Sequence, residues 1–337
     1  MISTLYRLKA PGTISVDFKE LDMSSSVIIR PDRMSICHAD QRYFRGLRPE
    51  SVLKKKLPMC IIHEAAGYVV HDPTETFKPG DFVAMVPNCP GEPKEDIFEN
   101  YQTGSGFLSS GLDGFTRELV DLSPDRVVAV PDQGPALAFT EMASVAIHAI
   151  TRWQNTAHRH RGHVAIWGDG NLSYILASTL RALISDIEIT IVGRHLEKLA
   201  FFTMADHTCL TDKLTATPQF DHCFECTGGE GSRYAIDQII DTIMPQGSIV
   251  LMGVSEYPVA INTRMVLEKG LTLIGSSRSG RADFEEVARL YRTTNLAERL
   301  NKIVNLVEPV RAIDDISRAF LQDLETPFKT VFEWRLS

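Results

Sequence analysis

The chain has 337 residues, of which 44% are hydrophobic and 23% are charged, as in an ordinary soluble globular protein. It is long enough for two domains with a sizeable core each. The 43 acidic residues outnumber the 35 lysines and arginines, the formal charge is −8, and Lys54–Lys56 is only a short basic cluster. A surface for nucleic acids is therefore not expected, and any bound anion should be small.

The N-terminal sequence and the cysteines both favour a cytoplasmic protein. The first residues, MISTLYRLKAPGTISV, lack the apolar stretch and cleavage site of a signal peptide, and no apolar run approaches the ~18 residues that span a bilayer. The six cysteines lack a framework spacing, which suits a reducing compartment. Cys223 and Cys226 have CxxC spacing, but residues three apart on a strand point to opposite faces, so we interpret both as structural thiols.

In chain order, short strands with many breakers come first, up to about residue 130, and they predict a β-rich domain. These strands include YVVHD, FKPGDFVAMVP and GFTRELVDL, and a polar loop over Glu92–Gly114 predicts a lobe or lid. From Thr140 onward the pattern changes, because TEMASVAIHAITRW has helical spacing and strands then alternate with helices. This alternation predicts a doubly wound parallel sheet, and the final KTVFEW is expected to return to the first domain. The predicted domains are a catalytic domain over residues 1–145, a dinucleotide-binding domain over 146–280 and a returning segment over 281–337.

A glycine turn lies between the strand HVAIW and an apolar helix. Gly168 permits the tight turn, Gly170 lets a pyrophosphate approach the backbone, and Ser173 takes the place of a third glycine. Asn171 and Leu172 open the helix. The turn alone is a weak signal, but its position between a strand and a helix indicates a dinucleotide site.

The end of the second strand of this domain bears on the choice of cofactor. NAD-binding chains usually carry Asp or Glu there, whereas ITIV is followed here by Gly193, Arg194 and, one helical turn on, Lys198. A cation without a carboxylate at this tip predicts NADPH, with Arg194 as the main contact; the alternative is a solvated start of a helix. Residues at the ends of later strands are predicted to line the nicotinamide, namely Thr227, Gly253 and Ser255.

Three distant segments of the chain supply a possible metal set. Cys37 follows the strand VIIR, His63 and Glu64 lie in IIHEAAG, and Glu141 starts the helix at the domain junction. Thiolate, imidazole and carboxylate together suit a catalytic zinc with one open position, and Glu64 could bind directly or support a ligand. Each residue also has a structural explanation: Cys37 as core filler, His63 as a buried hydrogen-bonding group, and Glu141 as a helix N-terminal acid.

The whole chain resembles the zinc-dependent medium-chain dehydrogenases and reductases, in which a GroES-like domain accompanies the Rossmann domain. The motifs that carry the resemblance are CHAD, HEAAG, KPGD, DGF, EMASVAIHA, GDGNLS and ECTGG, in that order. The stretches MSICHADQRYFRG, KKLPMCIIHE, GVSEYPVAINTR and LEKGLTLIGSSRSG resemble, more narrowly, the bacterial ribulose-5-phosphate reductases that supply CDP-ribitol for teichoic acids and capsules. The resemblance implies zinc at Cys37, His63 and Glu141 with Glu64 beside it, a homodimer, and by analogy a complex with a ribitol-5-phosphate cytidylyltransferase.

Two departures from the wider family pattern change what is expected. The segment Asn88–Gly114, which in many relatives holds a second, structural zinc on four cysteines, contains only Cys89 here, so one catalytic zinc is expected. Ala39 stands where many alcohol dehydrogenases have a hydroxyl that relays the proton. Asp40, Tyr43 and metal-bound water are therefore the candidates for that role.

Basic residues near the cysteine suggest a phosphorylated substrate. Guanidinium groups offer paired donors that match phosphate, and the candidates are Arg42, Tyr43, Arg45, Lys56 and Arg278, with Arg42 and Arg278 ranked first. The expected reaction is NADPH-dependent reduction of D-ribulose 5-phosphate to D-ribitol 5-phosphate. The alternatives are an NAD(P)-dependent zinc dehydrogenase for a free sugar alcohol and a nucleotide-binding regulator without catalysis.

Overall fold

The computed structural model describes residues 1–217 and 219–336. The strands are, in chain order, β1 (Ile2–Ala10), β2 (Thr13–Glu20), β3 (Val27–Ser35), β4 (Met59–Cys60), β5 (Glu64–His71), β6 (Phe82–Met85), β7 (Asn88–Cys89), β8 (Gly106–Phe107), β9 (Val120–Leu122), β10 (Val127–Ala129), β11 (His163–Trp167), β12 (Glu188–Gly193), β13 (His207–Leu210), β14 (Phe220–Glu225), β15 (Ile243–Leu251), β16 (Thr272–Gly275), β17 (Val304–Leu306) and β18 (Lys329–Glu333). The α-helices are α1 (His38–Phe44), α2 (Glu50–Lys56), α3 (Thr140–Thr156), α4 (Asn171–Leu183), α5 (Leu196–Leu199), α6 (Gly231–Thr242), α7 (Thr263–Lys269), α8 (Arg281–Thr293), α9 (Leu296–Asn301) and α10 (Ile313–Asp323).

The chain forms two compact units, and the first combines residues 1–144 with the segment that begins at Arg278. Its larger sheet runs in the order β10-β6-β5-β3-β18-β17, with β9 also paired to β3. Strand β3 is antiparallel to both β5 and β18, so that Ser35 lies opposite Glu64 on one side and Val331 on the other. The beginning, the middle and the end of the first unit's sequence therefore meet at one point of this sheet.

Helix α1 is anchored by the C-terminal helix of the same unit. The rings of Phe44 and Phe320 stack with their centroids 4.4 Å apart. The Gln41 side-chain amide donates to the Phe320 carbonyl at 2.7 Å and to the Asp323 carboxylate at 2.8 Å. Because Cys37 directly precedes α1, these contacts also fix the backbone that carries its thiol.

The second unit, Val145–Ser277, has a six-stranded parallel sheet in the order β13-β12-β11-β14-β15-β16. The chain starts in the middle of this sheet, builds outward on one side and then crosses to the other. This is the strand order of dinucleotide-binding domains, whose ligands lie at the carboxyl ends of the strands where the order reverses, here between β11 and β14. The predicted fold class, a doubly wound sheet with a β-rich domain, is confirmed. Of the helices described, none has the length and apolar character needed to cross a membrane.

Candidate active site

The first unit brings Cys37, His63 and Glu64 together. One potential ligand atom from each residue lies within 4.8 Å of the others. The pairing of β3 with β5 explains this cluster, because it places the end of β3, just before Cys37, beside the start of β5, where His63 and Glu64 lie. His63 and Glu64 are buried and Cys37 is half-buried. A thiol, an imidazole and a carboxylate are the donor types that zinc accepts together.

Asp40 orients the imidazole of His63. Its carboxylate oxygen Oδ1 lies 3.2 Å from His63 Nδ1 and also accepts hydrogen bonds from Ser109 Oγ at 2.6 Å and from the Ile62 amide at 3.2 Å. Burial alone would raise the pKa of Asp40, but His63 and the other donors outweigh it and the pKa is lowered. An ionised Asp40 accepts the hydrogen bond from Nδ1–H, and Nε2 is then the nitrogen that can bind a metal. This arrangement supports a positioning role for Asp40; its role as proton relay stays a prediction.

The backbone beside this histidine is strained. Ile62, Ser109 and Arg278 all adopt positive φ angles, of 69°, 61° and 60° respectively. Such a conformation is a genuine outlier for a β-branched residue such as Ile62 and costs about 1–3 kcal/mol. Ile62 is held in it by the hydrogen bond to Asp40 and by its own carbonyl, which accepts from the Phe115 amide at 2.8 Å. The strained Ile62 thus directly precedes His63.

Glu64 pairs with Lys329, a residue that the sequence reasoning missed. Lys329 Nζ lies 2.5 Å from Glu64 Oε2 and donates to the Ile36 carbonyl at 3.0 Å, and both side chains have no solvent exposure. Burial would lower the pKa of Lys329, but Glu64 outweighs it and the pKa is raised. The second oxygen, Glu64 Oε1, is buried and has no hydrogen-bond partner among the described residues. The sequence offered one signal, a lysine at the start of the closing strand KTVFE.

Glu141 is buried near this cluster, and the positive charges around it do not offset the effect of burial on its carboxylate. Burial raises its pKa to about 7; Glu64 and Asp40 also raise it, while His63 and Lys329 lower it. The raised pKa of Glu141 and the unpartnered oxygen of Glu64 are both expected at a site for a divalent cation. A bound cation would favour the ionised form of Glu141 and would contact the free oxygen. The donor set therefore fits zinc. Glu141 is outside the group of three whose ligand atoms approach within 4.8 Å, and its role as ligand stays a prediction.

Cationic groups surround Tyr43 in the same unit. The guanidinium of Arg48 lies 4.9 Å from the centre of the Tyr43 ring and Lys56 Nζ lies 5.8 Å from it. Arg42 is buried, and both burial and the charge of Arg48 lower its pKa. Arg45 is exposed, and its charge also reaches His38, as do those of Arg42 and Arg48. Guanidinium groups that repel one another in this way are typical of a site for a small anion.

Arg278 lies on another side of the metal-ligand cluster. Its guanidinium is 4.9 Å from the centre of the Phe107 ring, which in turn contacts the His63 ring with centroids 5.4 Å apart. Lys56 donates to Ser110 Oγ at 2.8 Å, directly after the Ser109 that binds Asp40. Of the predicted phosphate residues, the structure thus gathers Tyr43 and Lys56 near Arg42 and places Arg278 one aromatic ring from His63. Arg48, which lies against Tyr43, was not among the predicted residues.

The glycine turn of the second unit has the expected geometry. Gly168 has a φ of 120°, and a Cβ on it would lie 2.7 Å from Ser173 Oγ. Gly170 precedes α4, and Asn171 and Leu172 form its first turn. Asn171 Oδ1 is buried, and residues 1–217 and 219–336 offer it no hydrogen-bond partner.

Glu225, a second residue that sequence reasoning missed, ties together the loops that carry Thr227 and Gly253. Its carboxylate accepts from the Thr227 and Gly228 amides at 2.8 and 3.1 Å and from the Gly253 amide at 3.1 Å. Ser255 Oγ donates to the Gly229 carbonyl at 2.9 Å. The predicted nicotinamide residues therefore lie on two loops that one buried carboxylate holds at the ends of β14 and β15.

The end of β12 differs from expectation in one respect. Arg194 and Lys198 lie there as predicted, and Arg194 is exposed. The expectation that this tip has no carboxylate is wrong, because Asp169 Oδ2 accepts hydrogen bonds from the backbone amides of Arg194 and His195, at 2.6 and 2.8 Å. The reason is topological, since β11 and β12 are parallel neighbours and the turn after β11 reaches the end of β12.

Comparison with known proteins agrees with both units. Residues 24–132 match the alcohol dehydrogenase GroES-like domain and residues 182–293 match the zinc-binding dehydrogenase domain. The ribulose-5-phosphate reductase of Streptococcus pneumoniae is 47% identical, with 100% of this chain and 98% of that protein covered. That of Bacillus spizizenii is 45% identical, with 100% of both covered. This chain belongs to the ribulose-5-phosphate reductase family of zinc-binding dehydrogenases.

Solved structures extend the likeness within this family to three dimensions. TarJ of Staphylococcus aureus in complex with NADPH superposes with a TM-score of 0.87 at 42% identity, and 99% of each chain is covered. L-Idonate 5-dehydrogenase of Escherichia coli superposes with a TM-score of 0.85 at 20% identity, which shows the shared fold alone. The resemblance to zinc-dependent medium-chain dehydrogenases that the motifs indicated is confirmed.

Proposed function

We propose that this protein is an NADPH-dependent reductase that converts D-ribulose 5-phosphate to D-ribitol 5-phosphate at a catalytic zinc. The observation that carries the proposal is the joint presence, in one unit, of a buried thiol–imidazole–carboxylate set and a cationic cluster around Tyr43. The thiol–imidazole–carboxylate set suits a zinc ion that would polarise a ketone oxygen, and the cationic cluster suits a phosphate. The names of the full-length relatives at 45% and 47% identity support the same substrate.

Cys37 and His63 would hold the zinc, with Glu141 or Glu64 as the carboxylate ligand. Bound zinc supplies an electrophile that polarises the ketone oxygen as negative charge develops on it. Asp40 keeps the Nδ1 proton of His63, so that Nε2 faces the ligand cluster. Lys329 offsets the charge of Glu64, which allows a thiolate and two carboxylates to remain together in a buried site.

The second unit would bind NADPH. The pyrophosphate would lie against the amides at the start of α4, after Gly168 and Gly170, where the helix dipole favours an anion. Arg194 and Lys198 would contact the 2′-phosphate, and Thr227 and Ser255 would line the nicotinamide. The NADPH in the structure of the 42% identical TarJ supports this choice of cofactor. In the reaction one hydride passes from NADPH to the carbonyl carbon and one proton passes to its oxygen.

The substrate phosphate would bind Arg42 together with Tyr43, Arg45, Lys56 and Arg278, and the structural position of Arg48 adds it to this set. Because the pKa of Arg42 is lowered by burial and by Arg48, a dianion between them would relieve the repulsion of these cations. The candidate proton donors to the product oxygen are Tyr43 and water. Asp40 is less suited, because its oxygens already accept four hydrogen bonds.

The proposal extends to metal content, location, assembly and product use. A single zinc per chain is favoured because Cys89 is the one cysteine of residues 88–114. A cytoplasmic site of action suits six free cysteines. A homodimer would pair the edge strand β16, where Leu273 is exposed, with its copy. The product would supply a ribitol-5-phosphate cytidylyltransferase, in a complex with this chain, for teichoic acid or capsule synthesis. The likeness to TarJ and to the named reductases supports that role.

An absorbance assay tests the proposal. NADPH oxidation is expected with ribulose 5-phosphate, is expected to stop with a chelator, and should resume when zinc is added back. Equal turnover of unphosphorylated ribulose, or equal use of NADH, would favour the polyol dehydrogenase. Saturable NADPH binding without turnover of any ketose phosphate would favour the regulator.

A further inference from the structure

The carboxylate of Asp169 joins the turn after β11 to the turn after β12. Its Oδ2 accepts from the Arg194 amide at 2.6 Å, from the His195 amide at 2.8 Å and faces His195 Nδ1 at 3.0 Å. These donors outweigh the effect of burial and lower the pKa of Asp169, so the group is ionised at neutral pH. Three donors to one charged oxygen fix both the backbone of Arg194 and the ring of His195.

Gly193 is required for this contact. A Cβ at Gly193 would lie 2.8 Å from Asp169 Cβ and 2.9 Å from its Oδ2. An acidic residue at this position, as NAD-binding domains usually carry there, would displace Asp169. Gly193 and Asp169 therefore belong to one arrangement, in which a carboxylate is present at the strand end but is directed at protein donors and not at a ribose hydroxyl.

We propose that Asp169 is a positioning residue for recognition of the 2′-phosphate and that His195 contacts this phosphate beside Arg194. The inference rests on the proposed use of NADPH and deepens it. With Nδ1–H donating to Asp169, Nε2 is the ring nitrogen left for a ligand, and it donates to a phosphate oxygen in the doubly protonated form of the ring. The side chain of His195 is 45% exposed. The carboxylate itself is only 13% exposed, so it orders the cationic groups while being largely screened by its own donors.

A positioning role and a purely electrostatic role of Asp169 predict opposite changes in NADPH affinity when its carboxylate is removed. If Asp169 acted mainly as a negative charge near the phosphate, its neutralisation would strengthen NADPH binding. If it positions Arg194 and His195, its loss weakens NADPH binding and spares NADH. Glu197 offers a matched control, because it is an exposed carboxylate in the next turn, and the described residues offer its side chain no ion pair or hydrogen bond.

The experiment measures dissociation constants of NADPH and NADH by calorimetry on the zinc-loaded enzyme. Asp169→Ala is expected to raise the NADPH constant about tenfold and the NADH constant about twofold, with Asp169→Asn between wild type and Ala because its oxygen still accepts. His195→Ala should weaken NADPH binding about threefold to tenfold and leave NADH unchanged. The double variant should be no weaker than Asp169→Ala, because the contribution of His195 depends on its positioning by Asp169. Glu197→Gln should leave NADPH binding equal or stronger.

Tighter NADPH binding by Asp169→Asn, or an unchanged NADPH/NADH ratio in both Asp169→Ala and His195→Ala, would overturn the inference. Melting temperatures near the wild-type value establish that the variants fold. The proposed cofactor is tested separately by wild type and Arg194→Ala: if wild type does not prefer NADPH, or if Arg194→Ala does not reduce that preference, the cofactor assignment fails before Asp169 is considered.

Discussion

Lys329 and Glu64 form an ion pair in which neither side chain has any solvent exposure. Lys329 opens the last strand of the chain and Glu64 opens β5, and each strand pairs with β3. The pair therefore closes the first unit at the same point where the ligand cluster forms. A buried pair of this kind adds little net stability against an apolar pair, but the loss of one partner leaves a charge buried alone.

Lys329→Met is expected to lower the free energy of unfolding by about 3–5 kcal/mol, because Glu64 then lacks its cation. Urea unfolding of metal-free and zinc-loaded protein measures this loss, and it should be smaller with zinc, whose charge also offsets Glu64. The matched double variant, Glu64→Gln with Lys329→Met, should recover at least half of the loss. Equal instability of the single and double variants would mean that packing, and not charge, accounts for the effect.

Asp40→Ala is expected to weaken zinc binding about 10- to 100-fold, since the imidazole of His63 loses the acceptor that fixes its tautomer. Competition with a coloured chelator measures the affinity. Ser109→Ala serves as the control, because it removes one donor to Asp40 and keeps the contact to His63. Unaltered zinc affinity in Asp40→Ala would show that His63 needs no orientation by this carboxylate.

The sequence predicted one site for Cys37, His63, Glu64 and Glu141, and the structure brings the first three together. Cys37, His63 and Glu64 each lie next to a strand that hydrophobic patterning identifies, and the order of motifs resembles a family. The partners of these residues could not be predicted in the same way. Lys329 reaches Glu64 through the pairing of β18 with β3, and periodicity contains no information about which distant strands are neighbours.

The same limit explains the expectation about β12 that proved wrong. From sequence, the residues expected at the end of β12 are those of the strand itself and the next one along, Gly193 and Arg194. Asp169 arrives from the turn of the parallel neighbour, and its approach depends on the absence of a side chain at Gly193. Glu225 likewise joins two loops that end different strands. In each case a side chain links segments that only the sheet order brings together.

Arg42→Ala is expected to raise KM for ribulose 5-phosphate about 10- to 100-fold while the much lower activity on free ribulose stays unchanged. The reason is the loss of a charge-assisted hydrogen bond to phosphate, worth about 1.5–3 kcal/mol. Steady-state kinetics on both sugars measure the split. Lys54→Ala is the control, since this lysine of α2 is exposed and pairs with Glu50. Parallel losses on both sugars would place Arg42 outside the phosphate site.

Asp113→Asn tests the acid sensitivity of the first unit. Arg7 binds the Asp113 carboxylate through two nitrogens, at 2.6 and 3.0 Å, and the Cys60 amide donates to it at 2.8 Å. Burial would raise the pKa of Asp113, but Arg7 and the Cys60 amide outweigh it and the pKa is lowered. We expect the variant to lose about 2 kcal/mol of unfolding free energy at pH 7, as for a buried charged hydrogen bond.

The lowered pKa fixes the direction of the pH dependence. The ionised carboxylate stabilises the fold fully above its unfolded pKa of about 3.9, and this stability disappears as the pH falls through the lower folded pKa. The gap in unfolding free energy between wild type and Asp113→Asn should therefore be constant from pH 7 to about pH 5 and shrink below about pH 4. Asp17→Asn, which removes the more exposed partner of Arg7, should show a much smaller gap throughout. A gap that stays constant down to pH 3 would assign the loss to altered packing, because protonation of the unfolded-state carboxylate below about pH 4 must reduce any part of the gap that depends on its charge.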